Sequence, residues 1–159
     1  MVRFLHTADW QLGKRFGQFE DALAGRLTQA RVDVVERIRD AARERGIGHV
    51  LVAGDVWDVE QPSESSIRQP LAIMGEDPDI RWWLLPGNHD PARAHGLWSR
   101  VADIKPDNVE LLLDGEPREM EAGVSLLSAP WTSKPAGRGS STLEKSGQTL
   151  AARRLGQIR

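Results

Sequence analysis

Short apolar runs alternate with longer amphipathic stretches along the first 131 residues of the chain. Residues 2–7, 49–53, 81–85 and 108–113 are brief, mostly apolar and bounded by polar residues, which predicts buried β-strands. Residues 21–45 carry apolar side chains at intervals of three and four, which predicts an amphipathic helix. The side chains expected to face inward are Leu23, Leu27, Ala30, Val34, Ile38 and Ala41.

Two further helices and a hairpin complete the predicted elements. A helix capped by Ser63 or Ser65 should run to about Met74, and Pro70 should kink or divide it. Residues 96–104 predict a short helix, and residues 118–122 and 124–129 predict a β-hairpin. Strands that alternate with helices predict an α/β fold with a parallel sheet and right-handed crossovers.

Polar residues that can bind metal ions follow three of these strands. Asp9 follows the first strand, Asp55 the second, and Asn88, His89 and Asp90 follow the third after Pro86-Gly87. Because ligands bind at the carboxyl ends of parallel strands, we expect these residues to meet at one sheet edge.

Two more side chains are candidates for the same edge. Gln11 lies two residues after Asp9, and Asp58 lies three residues after Asp55. Carboxylate, amide and imidazole donors suit manganese, magnesium, iron or zinc. Two such ions can clamp a phosphate and generate hydroxide at neutral pH.

Composition narrows the class of protein. The 159 residues carry a net charge of −2 and contain no cysteine, which excludes disulfides, thiolate metal sites and thiol catalysis. The N-terminus lacks an apolar signal core and no apolar run is long enough to span a membrane, so we expect a cytoplasmic protein. Residues 132–159 are basic and rich in Gly and Ser, which predicts a flexible tail after a 1–131 domain, with a weak helix near residues 150–155.

The motifs D-x-Q, GDVWD and GNHD, in this order, resemble those of the calcineurin-like metallophosphoesterases. The longer strings FLHTADWQLGKRF, HVLVAGDVWD and LLPGNHDP are most similar to the SbcD-type DNA repair nuclease branch, and the likeness covers about residues 3–131. It implies an αββα sandwich, of which this chain would hold the N-terminal portion: a mostly parallel sheet plus a hairpin.

The resemblance also implies a role for each candidate residue. Asp9 and Gln11 would bind a first metal ion, Asp55 would bridge two ions, and Asn88 would bind the second. His89 would contact the scissile phosphate, and Asp58 would orient His89. Manganese would be preferred, with magnesium, iron or zinc as alternatives. DNA would be the substrate, and the expected partners are a second copy of the chain and an SbcC-type coiled-coil ATPase.

Two departures from the family pattern keep alternatives open. Gln11 stands where the family usually has histidine, so Gln11 is as consistent with a spectator as with a weak ligand. No histidine follows His95, whereas the family has a further histidine and a Gly-His-x-His motif as ligands, so we expect either a fragment or truncated variant or a missing half that comes from elsewhere. Such a form should expose the apolar face that a second sheet normally covers. The alternatives are a phosphoesterase acting on small nucleotides or phosphoproteins and a non-catalytic remnant of the fold.

Overall fold

The computed structural model describes residues 2–93, 95–132 and 149–154. In chain order the elements are β1 (Leu5–Thr7), α1 (Asp21–Glu44), β2 (His49–Ala53), α2 (Glu64–Gly75), β3 (Arg81–Leu85), α3 (Leu97–Ile104), β4 (Val109–Leu111), β5 (Arg118–Glu121), β6 (Val124–Ala129) and β7 (Thr149–Arg154). Every strand and helix predicted within residues 1–131 is present. β1 and β4 are shorter than expected. In the part of the chain that the structure covers, no helix has both the length and the apolar character needed to cross a bilayer.

The first four strands form a parallel sheet in the order β1-β2-β3-β4. Because right-handed crossovers join strands in sequential order, all three helices lie on the same face of the sheet. One large buried cluster confirms this placement, since it unites side chains of the helices with Val50, Val52, Trp82 and Leu84 of the central strands.

The opposite face of the parallel sheet packs against a second, antiparallel sheet in the order β5-β6-β7. Leu51, Trp83 and Leu85 from the parallel sheet form a buried cluster with Met120 and Leu126 from the second sheet. The α/β architecture and the two-sheet arrangement are therefore as predicted. The expectation of an uncovered apolar face is wrong at β2 and β3, because the second sheet covers it.

The side of α1 that faces the core agrees with the prediction only in part: Ile38, expected to face inward, packs against the buried cluster. The buried residues of α1 are Val32, Val35 and Ala42, whereas Leu23 and Val34 are exposed. Apolar residues stand side by side at positions 34–35 and 41–42, so the spacing is compatible with two neighbouring helix faces. Packing against the sheet selects the face that carries Val35 and Ala42.

Pro70 lies inside α2 without dividing it. The helix begins after Ser63, whose hydroxyl accepts a hydrogen bond from the backbone N–H of Ser66, as the capping prediction requires. Proline has no N–H, so Pro70 leaves the carbonyl of Ser66 without its helical donor. The indole Nε1 of Trp57 donates to that carbonyl at 2.9 Å, and the helix continues to Gly75.

Part of the predicted tail is a strand. Thr149–Arg154 form β7, which pairs antiparallel with β6 from Val124↔Arg154 to Ala129↔Thr149. The helix expected near residues 150–155 is therefore wrong for residues 150–154. The other residues of the predicted tail, 133–148 and 155–159, lie outside the described residues, and its flexibility stays a prediction.

Candidate metal centre

Beyond their strand ends, the chain segments after β1 and β2 continue side by side. The backbone N–H of Asp9 donates to Gly54 O at 3.1 Å, that of Gln11 to Asp55 O at 2.9 Å, and that of Leu12 to Val56 O at 2.9 Å. Gly54 has φ 89°, a left-handed value that glycine adopts at no steric cost and that turns the chain out of β2. These bonds bring the predicted ligands of the first two segments to one edge.

Three residues other than glycine have positive φ in the described part of the chain: Asp9 (56°), Gln11 (47°) and Asp55 (52°). A left-handed conformation costs such residues about 1–2 kcal/mol each, so the surrounding hydrogen bonds must hold them in it. All three were predicted to bind metal. Backbone strain is thus concentrated at the residues for which the sequence suggested a function.

The turn after β3 is anchored to the segment after β2 by Asp55. Its carboxylate Oδ1 accepts a hydrogen bond from the backbone N–H of His89 at 3.0 Å. Asp55 is buried, whereas Asn88, His89 and Asp9 are exposed. Asp55 therefore lies at the centre of the strand-end cluster with exposed polar residues around it. This position suits the bridging role predicted for it.

Asp90 makes a second link between the same two segments. Its Oδ2 accepts from Trp57 N at 3.0 Å, its Oδ1 accepts from Gly87 N at 2.6 Å, and the indole Nε1 of Trp98 donates to its carbonyl oxygen. Burial, the largest cause, and the nearby charge of Asp55 together raise the pKa of the Asp90 carboxyl to about 7, against the opposing effect of the backbone N–H donors.

The sequence grouped Asp90 with the metal-capable residues Asn88 and His89 but gave it no separate part in the site. The available signal was an aspartate three residues after Gly87, a spacing at which a side-chain carboxylate can accept a hydrogen bond from a backbone N–H. The bond to Trp57 joins residues 33 positions apart and had no local signal. Asp90 is a positioning residue, because it holds the turn that carries Asn88 and His89.

His89 is oriented by the backbone of Asp58. Its Nδ1 lies 3.0 Å from the carbonyl oxygen of Asp58 and 3.7 Å from the carboxylate Oδ1. A carbonyl oxygen only accepts hydrogen bonds, so Nδ1 carries the proton and Nε2 is the nitrogen left for a substrate. The family resemblance implied that the Asp58 side chain orients His89, whereas the short contact is made by its main chain.

The donor set fits a hard divalent cation, although only in part. Two carboxylates and two side-chain amides offer oxygen ligands of the kind that manganese and magnesium prefer. Within residues 2–93, 95–132 and 149–154, no group of three or more His, Cys, Asp or Glu side chains is placed to hold a metal ion. Further ligands, such as water, would be needed to complete a coordination shell here.

The sequence of the chain matches a known protein family. A sequence model of the family described as calcineurin-like phosphoesterase matches residues 2–142. The chain belongs to this family. The family resemblance inferred from the motifs is confirmed, and with it the membership of a hydrolase family that generally uses divalent metal ions.

Among curated members of the calcineurin-like phosphoesterases, the chain is similar to nucleases and repair proteins. It is 26% identical to the D subunit of nuclease SbcCD from Bacillus subtilis over 135 residues, which are 82% of this chain and 28% of that protein. It is 28% identical to the DNA double-strand break repair protein Mre11 of Saccharolobus solfataricus over 98 residues, which are 60% of this chain and 24% of that protein. With the SbcCD D subunit of Rhodobacter capsulatus it shares 30% identity over 96 residues, 58% of this chain and 22% of that protein. The chain therefore spans about a quarter of the length of these relatives.

Proposed function

We propose that this chain carries part of the active site of a metal-dependent phosphodiesterase that acts on DNA as a repair exonuclease. The main support is the convergence on Asp55, whose carboxylate accepts the His89 N–H and whose carbonyl accepts the Gln11 N–H. This network links the polar residues of three strand ends. The names of the similar proteins, nuclease and double-strand break repair protein, support DNA as the substrate class.

Each predicted site residue has a part in this proposal. Asp9, Gln11, Asp55 and Asn88 would hold two divalent ions, for which we propose Mn²⁺. Such ions supply an activated hydroxide and stabilise charge on the leaving oxygen when they are bound. The Asp58 carbonyl holds one proton on Nδ1 of His89, so Nε2 would face a non-bridging or leaving oxygen of the phosphate, and it would donate to that oxygen when it carries the second proton of an imidazolium.

Hydrolysis of linear duplex DNA and of bis(p-nitrophenyl) phosphate, each with added Mn²⁺, tests the proposal. We expect both to be cleaved, and His89→Gln to lower the rate about a hundredfold or more, as loss of a positioned acid or base does. Asp58→Asn should cost much less, because the carbonyl that holds His89 remains. Asp103→Asn, an exposed change on the last turn of α3, is the matched control and should retain the wild-type rate.

The outcomes separate the alternatives. Hydrolysis of the small ester without cleavage of DNA would contradict the DNA assignment and favour a phosphoesterase on small nucleotides or phosphoproteins. Binding of Mn²⁺ with no hydrolysis of either substrate would favour a non-catalytic remnant of the fold.

One observation favours the small-substrate alternative. A cleft beside the GNHD turn is lined by Arg93 and Arg100, but each already pairs with a carboxylate. Arg93 Nη1 lies 2.6 Å from Glu60 Oε2, and Arg100 Nη2 lies 3.0 Å from Glu64 Oε2. Paired arginines contribute less counterion release on DNA binding. A steep fall of DNA affinity with salt concentration would argue against this alternative.

We further propose that the protein acts as a homodimer in the cytoplasm together with an SbcC-type coiled-coil ATPase. Support comes from the two relatives that are named as a subunit of the SbcCD nuclease. Sedimentation of the chain alone and with such an ATPase would test both associations. A monomer that does not co-sediment with the ATPase would contradict them.

A further inference from the structure

The amide oxygen of Gln11 already has a cationic partner within the chain. Lys14 Nζ donates a hydrogen bond to Gln11 Oε1 at 2.8 Å and lies 3.7 Å from Asp58 Oδ1. The lysine side chain is 37% exposed and that of Asp58 is 18% exposed, so the ammonium is directed toward the site and is only partly in solvent. The amide oxygen predicted to bind the first metal ion therefore already accepts a hydrogen bond from a positively charged group.

The turn between Gln11 and Lys14 maintains this contact. The backbone N–H of Lys14 donates to Gln11 O at 3.2 Å, which closes the turn, and Gly13 within it has φ 80°. A Cβ on Gly13 would lie only 3.2 Å from the hydroxyl of Ser66 in α2, so the turn is tightly packed against that helix. The hydrogen bond within the turn and its contact with α2 both hold the turn in place. The backbone of Lys14 is therefore fixed next to Gln11.

An ammonium group and a divalent cation cannot share one amide oxygen without strong repulsion, since like charges a few ångström apart repel even when partly screened. A metal ion that coordinates Gln11 must displace Lys14 from that oxygen. The Asp58 carboxylate, 3.7 Å from the ammonium, attracts the lysine and helps to keep it near the site.

We propose that Lys14 is a positioning residue that competes with the first metal ion for Gln11 and so weakens metal binding at the Asp9–Gln11 position. This inference rests on the proposed metal site. It assigns Lys14 a function that the sequence left open between a nucleic-acid contact and an ordinary surface residue.

Calorimetric titration of the chelator-treated chain with MnCl₂ tests the proposal without measuring activity. Lys14→Met keeps the apolar stem and removes the charge, and we expect it to bind Mn²⁺ about fivefold more tightly than the wild type, as loss of a partly exposed charge interaction allows. Lys14→Gln should show the same gain. Lys105→Met, at the opposite edge of the sheet before β4, is the matched control and should bind as the wild type does.

A double variant tests the route of the effect. If Lys14 acts through Gln11, the variant that combines Gln11→Ala with Lys14→Met should bind Mn²⁺ no more tightly than Gln11→Ala alone. A gain that persists in the double variant would contradict competition for the amide oxygen, and so would unchanged or weaker binding by Lys14→Met. Asp55→Asn distinguishes a failure of the proposal for Lys14 from a failure of the proposed metal site. If Asp55→Asn leaves Mn²⁺ binding unchanged, the proposed metal site is wrong, whereas loss of binding in Asp55→Asn together with no effect of Lys14→Met refutes the role of Lys14 alone.

Discussion

The buried carboxyl group of Asp90 should make the stability of the metal-free protein fall as the pH rises. Asp90 is fully buried and accepts hydrogen bonds from Trp57 N and Gly87 N. Burial raises its pKa from 3.8 to about 7. Between these two values the folded chain keeps a proton that the unfolded chain releases, so the folded state is progressively disfavoured as the pH rises through this window.

The size of the effect follows from the shift. A pKa unit is worth about 1.4 kcal/mol, so a rise from 3.8 to about 7 corresponds to about 4 kcal/mol of stability lost between acid and mildly basic pH. Asp90→Asn cannot ionise, but its NH₂ group replaces one of the two oxygens that accept backbone N–H bonds, which lowers the stability of the variant by about 1–3 kcal/mol at every pH. We therefore expect the stability of the variant relative to the wild type to rise by about 3 kcal/mol from pH 4.5 to pH 8.5.

Urea denaturation followed by tryptophan fluorescence, with a chelator present and at several pH values, measures this difference. The difference between wild type and variant isolates Asp90 and the neighbouring Asp55 with which it interacts, because groups far from both titrate equally in the two proteins. Asp103→Asn, an exposed change on α3, is the control for the substitution itself and is measured at the same pH values. If the difference for Asp90→Asn is independent of pH, Asp90 ionises normally and the reasoning from its burial is refuted.

Two other polar side chains, the half-buried Asn108 and the buried His49, give predictions of stability. Asn108 Nδ2 lies 2.8–3.0 Å from three carbonyl oxygens at the end of α2 and before β3, so Asn108→Ala should lower the free energy of unfolding by about 2 kcal/mol. The exposed Asp107→Ala is its control in urea denaturation, and equal effects of both changes would contradict the argument. Burial lowers the pKa of His49, and Arg81 lowers it further against the opposing charge of Glu121. The contribution of His49 to stability should be complete above pH 6.5 and decrease as the pH falls below it; His49→Gln should remove that decrease, and parallel pH profiles would refute it.

The order of the elements and the edge that carries the site followed from the sequence because both depend on local patterns. Apolar runs ending at Asp9, Asp55 and Asn88 predict strands, and the parallel topology brings their carboxyl ends together. The buried face of α1 did not follow. Val34 and Val35 are adjacent in sequence, and only the position of the sheet decides which of them is covered.

Contacts between distant parts of the chain account for what the sequence did not predict. β7 has a sequence without clear alternation, TLAARR, and its strand conformation comes from pairing with β6. The Trp57 indole that satisfies the carbonyl freed by Pro70, and the Asp90 carboxylate bound to Trp57 N, likewise depend on packing between segments. In each of these contacts, only the partner that belongs to a local sequence motif could be identified from the sequence.

The most direct test of the metal site at the strand ends is a titration of the chelator-treated wild type and of Asp55→Asn with Mn²⁺, followed by electron paramagnetic resonance of the free ion. The amide oxygen that Asp55→Asn introduces can still accept the His89 N–H, so the fold should be retained while a buried negative charge is removed. We predict saturable binding well below millimolar Mn²⁺ by the wild type and affinity lower by about a hundredfold in Asp55→Asn, with Asp103→Asn unchanged. Binding by the wild type that is absent below millimolar Mn²⁺, or that Asp55→Asn leaves intact, would contradict a metal centre at this edge of the sheet.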